Sequence, residues 1–582
     1  MTVFRVIPIH SQQFPKQASW IGNLVSIVYY YDGTDDRATQ RSGMTEESCV
    51  RDNKKANAET VPALLSAACT LWPDNDLAVF DNESISYQQA ETRSANLAQQ
   101  LISAGVGRGT HVGILLPNGV EFILSYLAIN RIGAVAIPIS TFSTADELLQ
   151  LLQHADVQTL LMASQYRKHN YLNTLEQALP SLQVTSSQTM TEAPCLRSIM
   201  VWGDQTPAWA VRAEDDTLPF ASQSQFLALQ SEVRPGDVAA IVYTSGSTSA
   251  PKGVIHSQYT LLRQSIKQAR EKDYRQDDRI FSSMPFFWVG GLSYTLLPAM
   301  QAGATVLGCD SAASKDILDF IEREAATWFL GWPHAGEALE QDPSFPSRNL
   351  TIRGGYLFGA LPENLRPPSP EAVCNSLGMT ETAGPHSRGH LSILPEHLYG
   401  SFGQAADGIE YRVVDLDSGE DLSDGEPGEL LVRGDTLMLG FYKHESASVF
   451  TPDGWYPTRD LVIRREGHIF FQGRCDDTLK IRGANVSPKE VENALNALPN
   501  VSQSLVTVVT HGSKHYFGAV LVTTPGTHID LDAVPLTLRE RLSAYKVPTL
   551  YASLPADQLP FRSSGKIDRK RLIALLLQKL EL

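Results

Sequence analysis

Residues 241–253 read Ile-Val-Tyr-Thr-Ser-Gly-Ser-Thr-Ser-Ala-Pro-Lys-Gly. An apolar, strand-like run ends there in small hydroxyl residues and glycines, with one lysine, Lys252. Such a loop can aim many backbone N–H groups and hydroxyls at one anion, and the lysine adds positive charge; this is phosphate-binding chemistry. It is not a Walker A sequence, because Pro251 precedes the lysine and Gly253 follows it. A solvated Ser/Gly linker has the same composition, and the stretch alone does not choose between the two.

The elements that must position this loop follow a regular rhythm. Apolar runs at 111–117, 134–139, 159–163, 237–243, 281–285 and 304–307 read as buried strands. Segments 120–132, 144–154, 257–269 and 291–302 read as helices between them. Strands alternating with helices imply an α/β fold with parallel-rich sheets and flanking helices. In such sheets ligands sit beyond the carboxyl ends of strands, which is where the loop after Tyr243 falls. Further on the texture becomes β-rich, with short strands at 410–415, 428–434 and 468–473 split by Asp/Gly/Pro turns. A compact tail follows, with strands at 505–509 and 517–522 and helices at 487–498 and 536–542.

The organisation read from this is an N-terminal extension over 1–58, a large domain over 59–473 with a small β-barrel-like part, and a small α+β domain over 474–582. Residues 32–58 are polar and aperiodic, and Met44 is a plausible later start, so 1–43 are expected to be dispensable. The chain has 48 basic and 64 acidic residues, a net charge of −16, and no basic block, which argues against a nucleic-acid partner. The six cysteines are scattered without a Cys-x-x-Cys pair, which argues against a zinc ribbon or disulfide framework and for a reducing, cytoplasmic setting. No stretch reads as a transmembrane helix, no signal-peptide order opens the chain, and the terminal Lys-Leu-Glu-Leu is only a near miss to a retrieval tail.

Six further stretches fall in line behind the loop. They are Met-Pro-Phe-Phe-Trp-Val-Gly-Gly at 284–291, Asn-Ser-Leu-Gly-Met-Thr-Glu-Thr at 375–382 and Gly-Glu-Pro-Gly-Glu-Leu-Leu-Val-Arg-Gly at 425–434. Then come Asp-Gly-Trp-Tyr-Pro-Thr-Arg-Asp-Leu at 453–461, the run from Gln-Gly-Arg-Cys-Asp-Asp to Pro-Lys-Glu-Val-Glu at 472–492, and Leu-Pro-Phe-Arg-Ser-Ser-Gly-Lys-Ile-Asp-Arg at 559–569. This ordered set resembles the adenylate-forming superfamily of acyl-CoA synthetases, nonribosomal adenylation domains and firefly-type luciferases, over roughly 59–582.

The resemblance implies a two-step reaction: a carboxylic acid and ATP give an acyl-adenylate and pyrophosphate, and a thiol, commonly coenzyme A, takes the acyl group. Two anions must meet, and at about 4 Å they repel by roughly 4 kcal/mol at an effective dielectric near 20. By resemblance, Lys566 bridges the carboxylate and the α-phosphate, and Thr244, Ser245, Gly246, Ser247, Thr248 and Lys252 cradle the outer phosphates. Thr380 meets the α-phosphate, and Glu381 binds Mg²⁺, an ion that commonly takes one carboxylate plus phosphates. Asp460 holds the ribose hydroxyls and Arg474 the ribose or phosphate side, while Gly359, Ala360 and Leu377 lie toward the adenine. Asp476 is the hinge on which the small domain swings, bringing the loop at Gly483 in for the coenzyme A step.

Three positions depart from the family pattern. Ser249 replaces a usual glycine, Leu377 stands where an aromatic commonly stacks on adenine, and Trp288 stands where relatives often have His. Amino-acid-activating relatives tend to carry Asp at the last position, and an indole cannot pair with an α-ammonium. Trp288 beside Gly290, Gly291, Gly354 and Gly355, which leave room for a slot, therefore suits a fatty or aryl acid. A carrier-protein acceptor, a reaction that stops at or oxidises the adenylate, and a non-catalytic nucleotide-binding relative are the alternatives. Retention of Lys566, Glu381 and Asp460 together speaks against the last.

Overall fold

The computed structural model describes residues 58–578 apart from 82, 184–189, 216, 245–251, 332, 390, 476–478, 482–483, 487, 512–513, 540–541, 543–545 and 562–566. Every described element belongs to the unit Asn53–Leu582, and the first helix is Val61–Leu71. The expected extension over 1–58 lies outside the described residues but for its last position.

Two parallel-rich sheets carry the large part of the chain. In the eight-stranded sheet Val238–Thr244, Val135–Pro138, His111–Leu115, Thr159–Ala163, Ser198–Trp202 and Val211–Arg212 run parallel side by side. In the other, Gly354–Gly355, Trp328–Leu330, Arg279–Ser282, Thr305–Gly308 and Asp76–Phe80 run parallel, with Glu83–Ser86 antiparallel at the edge. Val135–Pro138 and Thr159–Ala163 are buried at every position, as strands covered on both faces must be. Helix Val120–Arg131 is buried at every position but Glu121, the mark of a helix packed all round. Neighbouring helices are closed by reciprocal capping boxes, Ser86 with Gln89 and Thr144 with Glu147.

Two elements differ from the sequence expectation in ways that matter for the site. Lys252–Ser257 is a strand, antiparallel to Val238–Thr244, with Lys252 opposite Thr244. The Ser/Gly loop therefore closes a hairpin. The helix after it, Gln258–Glu271, starts at the far end of the hairpin behind its cap Ser257, so its dipole is not aimed at the loop. The single helix expected over 291–302 is three pieces: Val289–Gly291, a π-turn Leu292–Leu296, and Leu297–Ala302. Pro298 has no N–H for the carbonyl of Tyr294, and the turn ahead of it widens.

Ile409–Val414, Pro427–Gly434, Tyr456–Arg465 and His468–Arg474 form an antiparallel four-stranded sheet over its own apolar cluster, which includes Val413, Leu430 and Val462. Beyond it, Val501–His511, Lys514–Thr523 and Leu550–Pro555 form a three-stranded sheet whose last pair is parallel. Helices Pro488–Asn496, Val534–Arg539 and Arg569–Gln578 complete this part. Two apolar clusters are built wholly from residues at or after Val486.

Candidate active site

Asp460 and Arg474 stand opposite each other on the last two strands of the four-stranded sheet. The cross-strand register puts their side chains together, and Arg474 donates to Asp460 Oδ1 at 2.6 Å. Asp460 is 4% exposed. Burial pushes its carboxyl up, to about 6, the guanidinium pulls it down, and Glu381 and Glu429 add repulsion. The preceding residue, Arg459, has φ 62, a costly conformation for a residue with a side chain. Its N–H donates to Glu429 Oε1 at 3.0 Å, and Asp460 N–H donates to Thr458 Oγ1 at 3.1 Å, so the kink is held from both sides.

Tyr456, at the start of the same strand, donates to Glu381 Oε1 at 3.3 Å. Glu381 sits in the one-turn 3-10 helix Thr380–Thr382, which ends on Ala383 at φ 58. The Glu381 carbonyl accepts from Met438 N–H at 2.8 Å, and Tyr442 N–H donates to the Gly253 carbonyl at 2.7 Å. These two bonds fasten the segment 438–442 between the Glu381 turn and the hairpin. In that segment Phe441 lies 6.5 Å from the Tyr456 ring and 5.4 Å from the Lys252 ammonium. Behind the turn, on the Lys252 strand, His256 is fully buried. Burial pushes its imidazole down to about 4, partly offset by the backbone of Thr380. A neutral ring therefore backs the turn and adds no charge to it.

Five predicted residues are thus gathered around Tyr456 and Phe441: Lys252, Thr380, Glu381, Asp460 and Arg474. Thr244 joins them as the partner of Lys252. Ser245, Gly246, Ser247, Thr248, Asp476, Gly483 and Lys566 lie outside the described residues. Among the described residues no group of three or more His, Cys, Asp or Glu gathers into a cage. The one carboxylate of Glu381 suits an ion that takes its other ligands from phosphates and water.

Other predicted residues have contacts of their own. Gly359 and Ala360 form a short 3-10 turn, with the Gly359 N–H bonded to Glu340 Oε1 at 2.7 Å. Leu377 is buried in the cluster of the four-stranded sheet. Its backbone is bonded on both sides, its N–H to Ser387 Oγ at 2.8 Å and its carbonyl to the His386 N–H.

Trp288, which the sequence reading assigns to the acid, is half-buried and packs edge-on against Phe287 at 5.2 Å. Asn118 clamps the approach to it, donating to the Met284 carbonyl and accepting from the Phe286 N–H. The sequence reading takes the nearby glycines as room for a slot, and the structure gives three of them a different reason. A Cβ on Gly291 would stand 2.3 Å from the Pro285 carbonyl oxygen, and on Gly354 2.6 Å from the Trp328 ring. On Gly355, at φ +103, it would stand 2.0 Å from the Phe329 carbonyl oxygen. These glycines let backbone approach backbone or ring; the space a side chain would need is already filled. A cavity of about 410 Å³ does open beside Gly354 and Gly355, with Trp328, Phe358, Leu361 and Lys272 on its wall.

Sequence reasoning passed over Tyr456, Asn118, His256 and Lys272. Tyr456 stands inside the motif at 453–461 and could have been found there. The others stand outside the quoted motifs, and Asn118 and Lys272 each meet a segment remote in the chain, at Met284–Phe286 and at Tyr294.

A family model described as AMP-binding enzyme matches residues 65–442. The naringenin synthase of Pestalotiopsis fici is 30% identical over 504 residues, 84% of this chain and 18% of the relative. The chain thus spans less than a fifth of that relative's length. The feruloyl-CoA synthase of an Amycolatopsis species is 28% identical over 494 residues, 83% of this chain and 92% of the relative. Among solved structures, the anthranilate CoA ligase AuaEII in complex with anthranoyl-AMP superposes with a TM-score of 0.72 at 21% identity, covering 90% of this chain and 98% of that one. At that identity the likeness concerns the fold alone.

Proposed function

The chain belongs to the AMP-binding enzyme family, and from that premise we propose that it is an ATP-dependent acid–thiol ligase, which converts a carboxylic acid to its acyl-adenylate and passes the acyl group to coenzyme A. One observation carries the reading: the buried Asp460 with its partner Arg474, the Glu381 turn and Lys252 converge through Tyr456 and Phe441 at the mouth of the hairpin. That arrangement offers a fixed acceptor for ribose hydroxyls, a carboxylate for a phosphate-bound cation, and positive charge at the hairpin mouth.

In this proposal Asp460 accepts the ribose hydroxyls and Arg474 keeps its carboxylate ionised at neutral pH. Thr380 presents its hydroxyl to the α-phosphate. Mg²⁺, held by Glu381, would neutralise phosphate charge. Thr244, the residues 245–248 and Lys252 hold the outer phosphates, and Lys566 draws the acid carboxylate against the α-phosphorus. The carboxylate oxygen attacks, the α–β bridging bond breaks, and pyrophosphate leaves with that electron pair. The thiol then attacks the acyl carbon, giving up its proton, and AMP departs with the electron pair of the acyl C–O bond. The proposal includes a boundary near 473, a hinge at Asp476 that serves the two steps in turn, and entry of the Gly483 loop for the second. Among the described residues no helix is long and apolar enough to cross a membrane, and we place the enzyme in the cytoplasm.

The acid we propose is fatty or aryl, because Trp288 offers an indole where an α-ammonium would need a carboxylate. A relative named feruloyl-CoA synthase supports the aryl side. A second reading hands the acyl group to a protein-borne thiol. It is favoured by the match to 18% of a much longer chain, where an acceptor could be covalently tethered. ATP–pyrophosphate exchange across a panel of acids tests the adenylation, and thioester formation on free coenzyme A against a holo carrier protein separates the acceptors. No exchange with any acid sinks the proposal.

A further inference from the structure

Lys272 is the cap residue at the end of helix Gln258–Glu271 and is 4% exposed. Its ammonium donates to Gln268 Oε1 and lies 3.9 Å from the centre of the Tyr294 ring and 5.8 Å from that of Tyr274. Among the described residues no carboxylate stands within ion-pair distance of it. The helix C-terminus favours a cation there, and the rings add attraction, but neither replaces a counter-charge for a buried ammonium.

The other charges on the same cavity are committed. Arg353 is held by Asp278 and lies over the Trp328 ring at 5.2 Å. Glu271 Oε1 accepts from the Gly389 N–H at 2.7 Å. Lys272 alone brings to the wall a buried cation satisfied by an amide and rings.

A chain of contacts leads from the cavity toward the Glu381 turn. Tyr294 lies in the π-turn directly after Gly290 and Gly291. Its neighbour Ser293 donates to the Ala383 carbonyl, at the end of the Glu381 turn. Gly354 and Gly355 line the cavity itself. Of the two glycine pairs assigned to the acid, Gly354 and Gly355 line the cavity, and Gly290 and Gly291 precede the turn that carries Tyr294 onto Lys272; the cavity walls are largely apolar. A volume of about 410 Å³ is that of a small-ligand site.

We propose that Lys272 reads the far end of the acid, selecting carboxylic acids that carry a second anionic group remote from the reacting carboxylate. The proposal deepens the ligase reading, on which it rests for what becomes of the acid but not for the acid's binding. The charge state follows the same geometry: burial pushes the Lys272 amine down to about 7, and Glu271 partly restores it. Tyr274 and Tyr294 also face it, and burial holds both phenols protonated well above that range. Arg353 faces the cavity with its partner Asp278. The ammonium is charged below about 7 and is lost as pH rises, so selectivity for a second anion must fade in that direction.

The test is calorimetric titration of the full chain with straight-chain α,ω-dicarboxylates against monocarboxylates of equal length, and with terephthalate against benzoate. In the wild type at pH 6 one dicarboxylate binds about 10- to 100-fold tighter than its partner, the worth of one hydrogen bond to a charged group. The ratio shrinks as pH rises through 7 and above, a measurement that needs no variant. Lys272→Met collapses the ratio toward one. Equal affinities within every pair, or a ratio unchanged in Lys272→Met, overturns the proposal. Pyrophosphate exchange on the same samples separates the two readings. Absence of exchange with discrimination intact sinks the ligase and keeps the role of Lys272; exchange without discrimination does the reverse.

Discussion

On the side proposed for the nucleotide a buried carboxylate, Asp460, faces a guanidinium from the adjacent strand; on the side proposed for the acid a buried ammonium, Lys272, faces an amide and two phenol rings. Both residues are 4% exposed. The first charge is compensated by the β-ladder itself, because the register that pairs the strands also pairs Asp460 with Arg474. The second has no such partner, and the cavity in front of it has room for one. A buried charge with a built-in counter-ion describes a site that is ready before its ligand arrives. A buried charge without one describes a site that its ligand completes.

The strongest way to break the comparison is to remove the charge that would join the two sides. Lys566→Ala is expected to cut ATP–pyrophosphate exchange at least ~10²-fold, the scale of losing one positioned transition-state donor. AMP affinity should fall far less, and exchange at the wild-type rate would remove Lys566 from the mechanism.

Next comes Asp460→Asn, which is expected to weaken ATP binding about 10-fold or more, since a hydrogen bond to a charged group is lost. The same change should stabilise the fold. The folded pKa lies above the unfolded one, so charging Asp460 costs stability progressively as pH rises from about 4 to about 6, and the full cost is present at neutral pH. A neutral amide lifts that cost, by about 1–3 kcal/mol at pH 7. Urea unfolding reads the gain, and a loss of stability would mean that the pair with Arg474 is a net structural asset.

Gly355→Ala sharpens the acid side. If the glycine only made room, alanine would lower acid affinity and leave stability alone. The contact at 2.0 Å to the Phe329 carbonyl and the positive φ predict a loss of about 2–4 kcal/mol in unfolding free energy instead.

Smaller effects follow from titration and from one hydroxyl. Nucleotide affinity of the wild type should fall several-fold as pH drops below about 6, because Asp460 then takes up a proton and stops accepting from the ribose. Isothermal titration with AMP between pH 5 and pH 8 would show it. Tyr456→Phe removes a single bond to Glu381 and is expected to raise the Mg²⁺ concentration needed for half-maximal exchange only a few-fold.

Much of the frame was legible from periodicity. Buried strands such as Thr159–Ala163 fall where the apolar runs put them, because a strand covered on both faces has no polar alternation to blur it. The hairpin at Lys252–Ser257 was not legible, since Lys-Gly-Val-Ile-His-Ser carries no turn signal at its far end and runs directly into a helix. The π-turn over Leu292–Leu296 was hidden for a related reason. Its apolar residues fit any helical period, and only packing shows that the turn widens. At the candidate site, Glu381 and Asp460 stand inside short motifs, whereas Asn118 takes its partners from a remote segment and Lys272 adds the remote Tyr294 ring to its local ones.

The amino-acid sequence by itself determined which residue types are present and in what order: a Ser/Thr/Gly loop with a lysine, a Thr-Glu pair, an Asp and an Arg at set intervals, and a late lysine, all local patterns that survive without coordinates. Only the tertiary structure decided how the charges are met. It put Arg474 across from Asp460 and left Lys272 facing rings and a cavity. The reason is that chemical type is a property of single residues, while compensation of a buried charge depends on what distant strands and turns place within a few ångströms of it.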